Sequence, residues 1–140
     1  KIRDDLKRKG RTYDQNWVVF DKDDNPDNVF NEAIVLARRE GFYVAYSNQA
    51  FEYWFLLHFK KYMGHYTRLR MNAMLGKILG ETYIKSSGKA SDLYLRLLPL
   101  QEKAIKRAKE VLEEIGKGNP AEEESSTTVY QLVEQLNRFI

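Results

Sequence analysis

Three aspartates stand within four positions, Asp21, Asp23 and Asp24, directly after the apolar run Trp17 to Phe20. Carboxylates that close repel one another, so a fold that gathers them needs a compensating interaction. Oxygen donors two residues apart, as in Asp21 and Asp23, can converge on one hard cation such as Mg²⁺ or Mn²⁺, which favours carboxylate oxygen and keeps several waters. Such an ion reverses the repulsion an anionic phosphodiester would otherwise meet, activates water and stabilises a leaving oxygen. A further acid, Glu52, sits early in the otherwise apolar "AFEYWFLLHF". Burying it among aromatics costs desolvation unless it is paired or binds a cation. His58 lies six residues on, about 120° away around a helix, so it does not share Glu52's face. Plainer readings compete at each position. Asp and Asn favour turns at strand ends for backbone reasons, a first-turn Glu complements the helix dipole, and His58 fits a hydrogen-bonded core or boundary position.

The elements that must position these groups are legible in outline. "NWVVFD", residues 16–21, is short and rich in Val and aromatics, which predicts a buried strand. Pro26 suits a first helical position with Asn25 as its cap, and Val29, Phe30, Ala33, Ile34 and Ala37 recur at helical spacing up to Arg39 and Gly41. "FYVAYS", residues 42–47, predicts a second strand. A connecting helix of this length makes the two strands parallel. Asn48 then caps a largely buried helix in "QAFEYWFLLHFKKY". A helix is expected over residues 67–79, a Gly- and Ser-rich loop over 80–92, a long helix from Pro99 to about Ile115, and a last one over about 128–139. In a parallel sheet ligands bind at the carboxyl ends of the strands. Asp21 and the start of the Glu52 helix both fall there.

The acidic stretch admits four assignments: a polar turn, an EF-hand-type calcium loop, the first motif of a haloacid-dehalogenase-like phosphatase, and a Toprim-type metal site. In the calcium loop Asp21, Asp23, Asn25, Asp27 and Glu32 fall on ligand positions, but Pro26 stands where Gly is needed and a strand precedes it. The phosphatase needs a further downstream acidic pair that is not apparent.

Three stretches together carry a resemblance. "VVFDKDDNP", "SNQAFEYWFLLHF" and "SSTTVYQLVEQL" match in order and spacing the RloB-like proteins, Toprim-related proteins of bacterial and archaeal defence loci. The chain departs from the family's usual Pro-Cys at Gln49 and Ala50. The resemblance implies an α/β, Toprim-like (Rossmann-like) parallel sheet with additional C-terminal helices, arranged as one domain over residues 1–140 with an α/β core at about 16–60 and a helical extension at about 65–140. It implies a Mg²⁺-dependent (or Mn²⁺-dependent) nuclease, often encoded beside an ATPase. By position, Asp21 and Asp23 match the family's DxD and would bind the ion, and Glu52 matches the acid of its second motif, with Asp24 and Glu52 as outer or second-metal ligands. The Toprim Glu belongs to an earlier strand that residues 1–16 do not contain, so the sheet is expected to be N-terminally incomplete.

Composition narrows the partners. The chain has 140 residues, enough for one compact domain. With no cysteine it has no disulfide and no thiolate zinc site, as a reducing cytoplasm would have it. No apolar stretch reaches the roughly 18 residues of a membrane span. The net charge of +3 is small, but from Tyr53 to Ser91 one acid, Glu81, stands against seven bases. His58, Lys60, Lys61, Arg68, Arg70 and Lys85, interleaved with Tyr, are expected to face and orient a nucleic acid backbone. A solvated helix face, with Lys and Arg stems covering apolar surface, is the competing reading. Taken with what the resemblance implies, three functions stand in order: a metal-dependent phosphodiesterase of nucleic acid in antiviral defence, a non-catalytic module that binds nucleic acid or an ATPase, and a haloacid-dehalogenase-like phosphatase. "SSTTVYQLVEQL" opens a helix whose hydroxyls, at Ser125, Ser126 or Thr127, serve as its cap or hold a phosphate.

Overall fold

The computed structural model describes residues 13–80, 90–116 and 118–139. Strand β1 (Trp17–Asp21) leads through helix α1 (Asp27–Arg39) to β2 (Tyr43–Asn48), and helices α2 (Glu52–Leu57) and α3 (Arg68–Leu79) follow. Beyond them come α4 (Ala90–Leu97), a 3₁₀ turn at Leu98–Leu100, α5 (Gln101–Ile115), a second 3₁₀ turn at Pro120–Glu122, strand β3 (Ser126–Thr127) and α6 (Val129–Asn137). The protein is a mixed α/β structure with a small three-stranded sheet, ordered β1-β2-β3.

β1 and β2 are parallel, in register from Trp17 opposite Tyr43 to Asp21 opposite Ser47. Strand side chains alternate between faces, and the sequence uses both. Phe20, Val44 and Tyr46 pack with Phe30 and Ile34 of α1. Trp17 and Ala45 face the larger core of Tyr53, Trp54, Leu56, Leu57, Met71, Leu75, Ala104, Ala108, Val111 and Val129, drawn from α2, α3, α5 and α6. Asp21 continues the alternation Trp17–Val19–Asp21, so the first acid emerges on the larger-core side at the carboxyl end of its strand.

Five expectations are corrected. The sheet is mixed, because β3 adds antiparallel to β2, with Ser47 opposite Thr127 and Asn48 opposite Ser126. Two residues are too few for strand periodicity to show, and the stretch expected as a helical extension thus supplies a strand. Two hydroxyls of "SSTT" serve that junction: Ser47 Oγ and Thr127 Oγ1 are 2.8 Å apart, and Thr128 Oγ1 accepts from the Tyr46 amide. Thr127 Oγ1 also accepts the Val129 amide at the start of α6, as a cap does, and Ser125 Oγ accepts from the Tyr66 amide. Asn48 is the last residue of β2, not a helix cap; its Nδ2 donates to the carbonyls of Pro120 and Ala121 at 2.9 and 3.1 Å. The helix after it is short, because the Tyr53 hydroxyl donates to the Tyr62 carbonyl and folds the following segment back. Pro26 occupies the cap position of α1, while Asn25 Nδ2 donates to the Lys22 carbonyl. Lastly, α4 precedes Pro99, which lies within a 3₁₀ turn before α5. Most of the expected 80–92 loop lies outside the described residues.

Asn48 thus ties the turn before β3 to the sheet from a fully buried position. Asn48→Ala deletes both hydrogen bonds and takes from the Ala121 carbonyl its Asn48 donor, while the Pro120 carbonyl still accepts from Glu123 N, which should cost about 1–2 kcal/mol. An unfolding free energy lowered by that amount in urea titration, with unchanged slope, is the expected result.

Candidate active site

The site is built where β1 ends. Beyond Asp21 the chain still follows β2: Lys22 N donates to Ser47 O and Asp23 N to Gln49 O, both at 2.9 Å. Asp23 then adopts a left-handed conformation, φ 46°, which Asp accepts more readily than most residues. The turn is locked from within. Asn25 N donates to Lys22 O at 3.0 Å, and the buried Lys22 ammonium reaches the Asn25 carbonyl at 3.0 Å and Asp27 at 3.1 Å.

Glu52 arrives from the next element. It opens α2, whose Tyr53, Trp54, Leu56 and Leu57 are all buried, and its own side chain is 1% exposed. Arg68 arrives from a third. It is the first residue of α3, which Thr67 caps by accepting the Arg70 amide at 3.1 Å and which Met71 and Leu75 anchor in the core. A cation at a helix N-terminus opposes the helix dipole, so this position needs acidic partners.

It has three. Arg68 makes a two-pronged pair with Asp23, Nε to Oδ1 and Nη2 to Oδ2, each 2.9 Å. Nη2 also donates to Asp21 Oδ2 at 2.5 Å. Nη1 faces Glu52, 3.2 Å from Oε1 and 3.5 Å from Oε2. The planar guanidinium, with its fork of donors, is the side chain best suited to several carboxylates at once. The hydrogen bonds to Asp23 hold Arg68 protonated still more firmly than usual; partial burial opposes this, and Glu52 and Asp21 add to it.

Among the described residues, the structure therefore brings Asp21, Asp23 and Glu52 together around Arg68, expected from the sequence to face nucleic acid. Among the described residues, no three His, Asp or Glu side chains are drawn tightly enough to share a metal ion as they stand. The physical reason is size, since a guanidinium spreads its partners more widely than a divalent ion does. The donor set itself suits a hard cation, being all carboxylate oxygen and already organised around positive charge.

Other expected site residues lie elsewhere. Asp24 is exposed in the turn and makes no ion pair with Arg68. His58 is buried beside Trp54, with ring centroids 4.9 Å apart at 80°, and its Nδ1 is 2.9 Å from the Trp54 carbonyl. A neutral ring donating from Nδ1 fits that acceptor. Lys61 pairs with Glu110 and Glu114 on α5. Lys60 and Arg70 are exposed, over the rings of Tyr62 and Tyr66 at 5.7 and 5.1 Å. Lys85 lies outside the described residues.

Two buried groups give opposite pH dependences. Burial pushes the His58 pKa below its ordinary 6.5. The unfolded chain therefore binds the proton first, and stability falls as pH drops below about 6.5. Glu123 is pushed above its ordinary 4.5 by burial, while its bond from the Tyr46 hydroxyl pulls the other way. There the unfolded chain ionises first, so this contribution is lost as pH rises above about 4.5. Melting temperatures of wild type and His58→Gln should therefore converge on acidification from pH 7.5 to pH 5.5, because only wild type carries the histidine penalty.

A protein-family model, RloB-like protein, matches residues 2–136, and the chain belongs to that family. No curated protein and no solved structure matches it. Among the described residues no helix is long and apolar enough to cross a membrane.

Proposed function

We propose that this RloB-like protein hydrolyses phosphodiester bonds of nucleic acid, using a divalent metal held by Asp21, Asp23 and Glu52 in a Toprim-like site, as part of an antiviral defence system in the cytoplasm. The single observation that carries this reading is the convergence of the three carboxylates, from β1, the following turn and α2, on the Arg68 guanidinium at the carboxyl edge of the parallel strand pair. A carboxylate as buried as Glu52 costs the fold free energy, and a site for positive charge gives that cost a use.

The roles follow from position. Asp21 and Asp23 present oxygen from the strand end, and Glu52 closes the set from the core side, where its burial excludes water from one flank. Mg²⁺ or Mn²⁺, when bound, supplies charge neutralisation and an activated water. The exposed Lys60 and Arg70, with Tyr62 and Tyr66 beside them, orient the nucleic acid backbone. An ATPase partner is part of the same proposal.

A second reading has its own observation in favour. Arg68 already balances part of the acidic charge, which would suit a module that binds nucleic acid or an ATPase and catalyses nothing. The two separate in one assay of the full-length protein on single- and double-stranded DNA and RNA, with Mg²⁺, Mn²⁺ or a chelator. Cleavage that requires the metal supports the proposal. Salt-sensitive binding without cleavage supports the binding module, and turnover confined to small phosphomonoesters points to a phosphatase.

A further inference from the structure

We propose that Arg68 is a built-in competitor for the divalent cation, holding the three carboxylates together in its absence and leaving the cluster when the ion enters. This rests on the metal-site reading above and adds the requirement that one side chain must move first.

The guanidinium engages Asp21 Oδ2, both oxygens of Asp23 and both of Glu52. A divalent ion seeking those carboxylates finds their inward lone pairs taken. A guanidinium left in place would stand within a few ångströms of the ion, where like charges repel strongly at protein dielectric. The two occupants therefore exclude each other.

The surroundings let Arg68 leave without disturbing the fold. Its side chain is 35% exposed, against 1% for Glu52, so it has a route to solvent that Glu52 lacks. The α3 backbone beneath it is fixed by the Thr67 cap and by the buried Met71 and Leu75. Only side-chain torsions need change. Arg68 thus sets the metal concentration at which the site fills. It also keeps three mutually repelling carboxylates in place at low metal, which no neutral side chain can do.

The test is Mn²⁺ affinity, read from the loss of the free-ion paramagnetic resonance signal on titration of the full chain. Arg68→Gln should bind Mn²⁺ about tenfold more tightly than wild type or better. Arg68→Lys, which keeps the charge but lacks the fork, should fall between them. Adding Asp21→Asn to Arg68→Gln should abolish the gain. Should Arg68→Gln fold only when Mn²⁺ is supplied, that too supports competition, because the ion then replaces the guanidinium. Should it fail to fold in either condition, Arg68→Lys decides alone. Folded variants that bind Mn²⁺ no better than wild type overturn the inference, while metal-dependent cleavage by wild type would leave the site assignment standing. Absence of Mn²⁺ binding by wild type and both variants overturns the inference and the metal site together.

Discussion

Asp21→Asn is expected to lower metal-dependent cleavage by about 10²–10³-fold, the scale set by removing one well-placed electrostatic contact from an active site. The substitution keeps the shape of the side chain, and the amide oxygen can still accept from Arg68 Nη2. Little packing is lost, since Asp21 sits at the rim of the sheet with its side chain 13% exposed. It weakens the hydrogen bond from Arg68 without removing it, and it also relieves repulsion from Asp23 and Glu52, so stability should change by no more than about 1 kcal/mol. Activity and stability are thereby uncoupled, and the comparison of kcat with melting temperature reads the role of the charge alone. Glu52→Gln should lower the rate comparably. A cleavage rate within a few-fold of wild type in Asp21→Asn would remove these carboxylates from the chemistry.

What the sequence could reveal depended on how local each signal was. β1, α1 and β2 were readable because their apolar periodicity spans five to thirteen residues and a helix of that length dictates a parallel pair. The acids were readable by type, and Glu52 by its misfit among aromatics. Arg68 as their shared partner was not, because 45 residues separate it from Asp23 and its neighbours, Lys60, Lys61 and Arg70, make it look like one cation of a surface patch. A weak signal was present all the same: an arginine directly after Thr67 stands at a helix start, where cations are disfavoured. By type His58 fits both a phosphate contact and a core position, and burial assigns it to the core. The two-residue strand β3 was out of reach, since its pairing comes from Ser47 and Asn48 some 80 residues earlier.

Trp54→Ala should cost about 3–5 kcal/mol, the usual range for emptying a large aromatic site in a core, against a total of about 7–20 kcal/mol for a chain of this size. Helix α2 has six residues, far fewer than the ~12–15 that hold a helix together in water. Its existence therefore depends on packing, and Trp54 is central to it. The indole is buried, it meets His58 edge to face, and its backbone carbonyl is the partner of the His58 ring. The same six residues carry Glu52 into the acidic cluster. Loosening the helix thus moves an acid in the site from two positions away, and the variant should lose Mn²⁺ affinity as well as stability. Trp54→Phe, which keeps much of the volume, should cost no more than about 2 kcal/mol. Val19→Ala, on a side chain 46% exposed in β1, should stay within about 0.5 kcal/mol. Urea midpoints for the three variants test the ranking. If Trp54→Ala unfolds no earlier than Val19→Ala, the position of Glu52 is set by something other than the packing of α2.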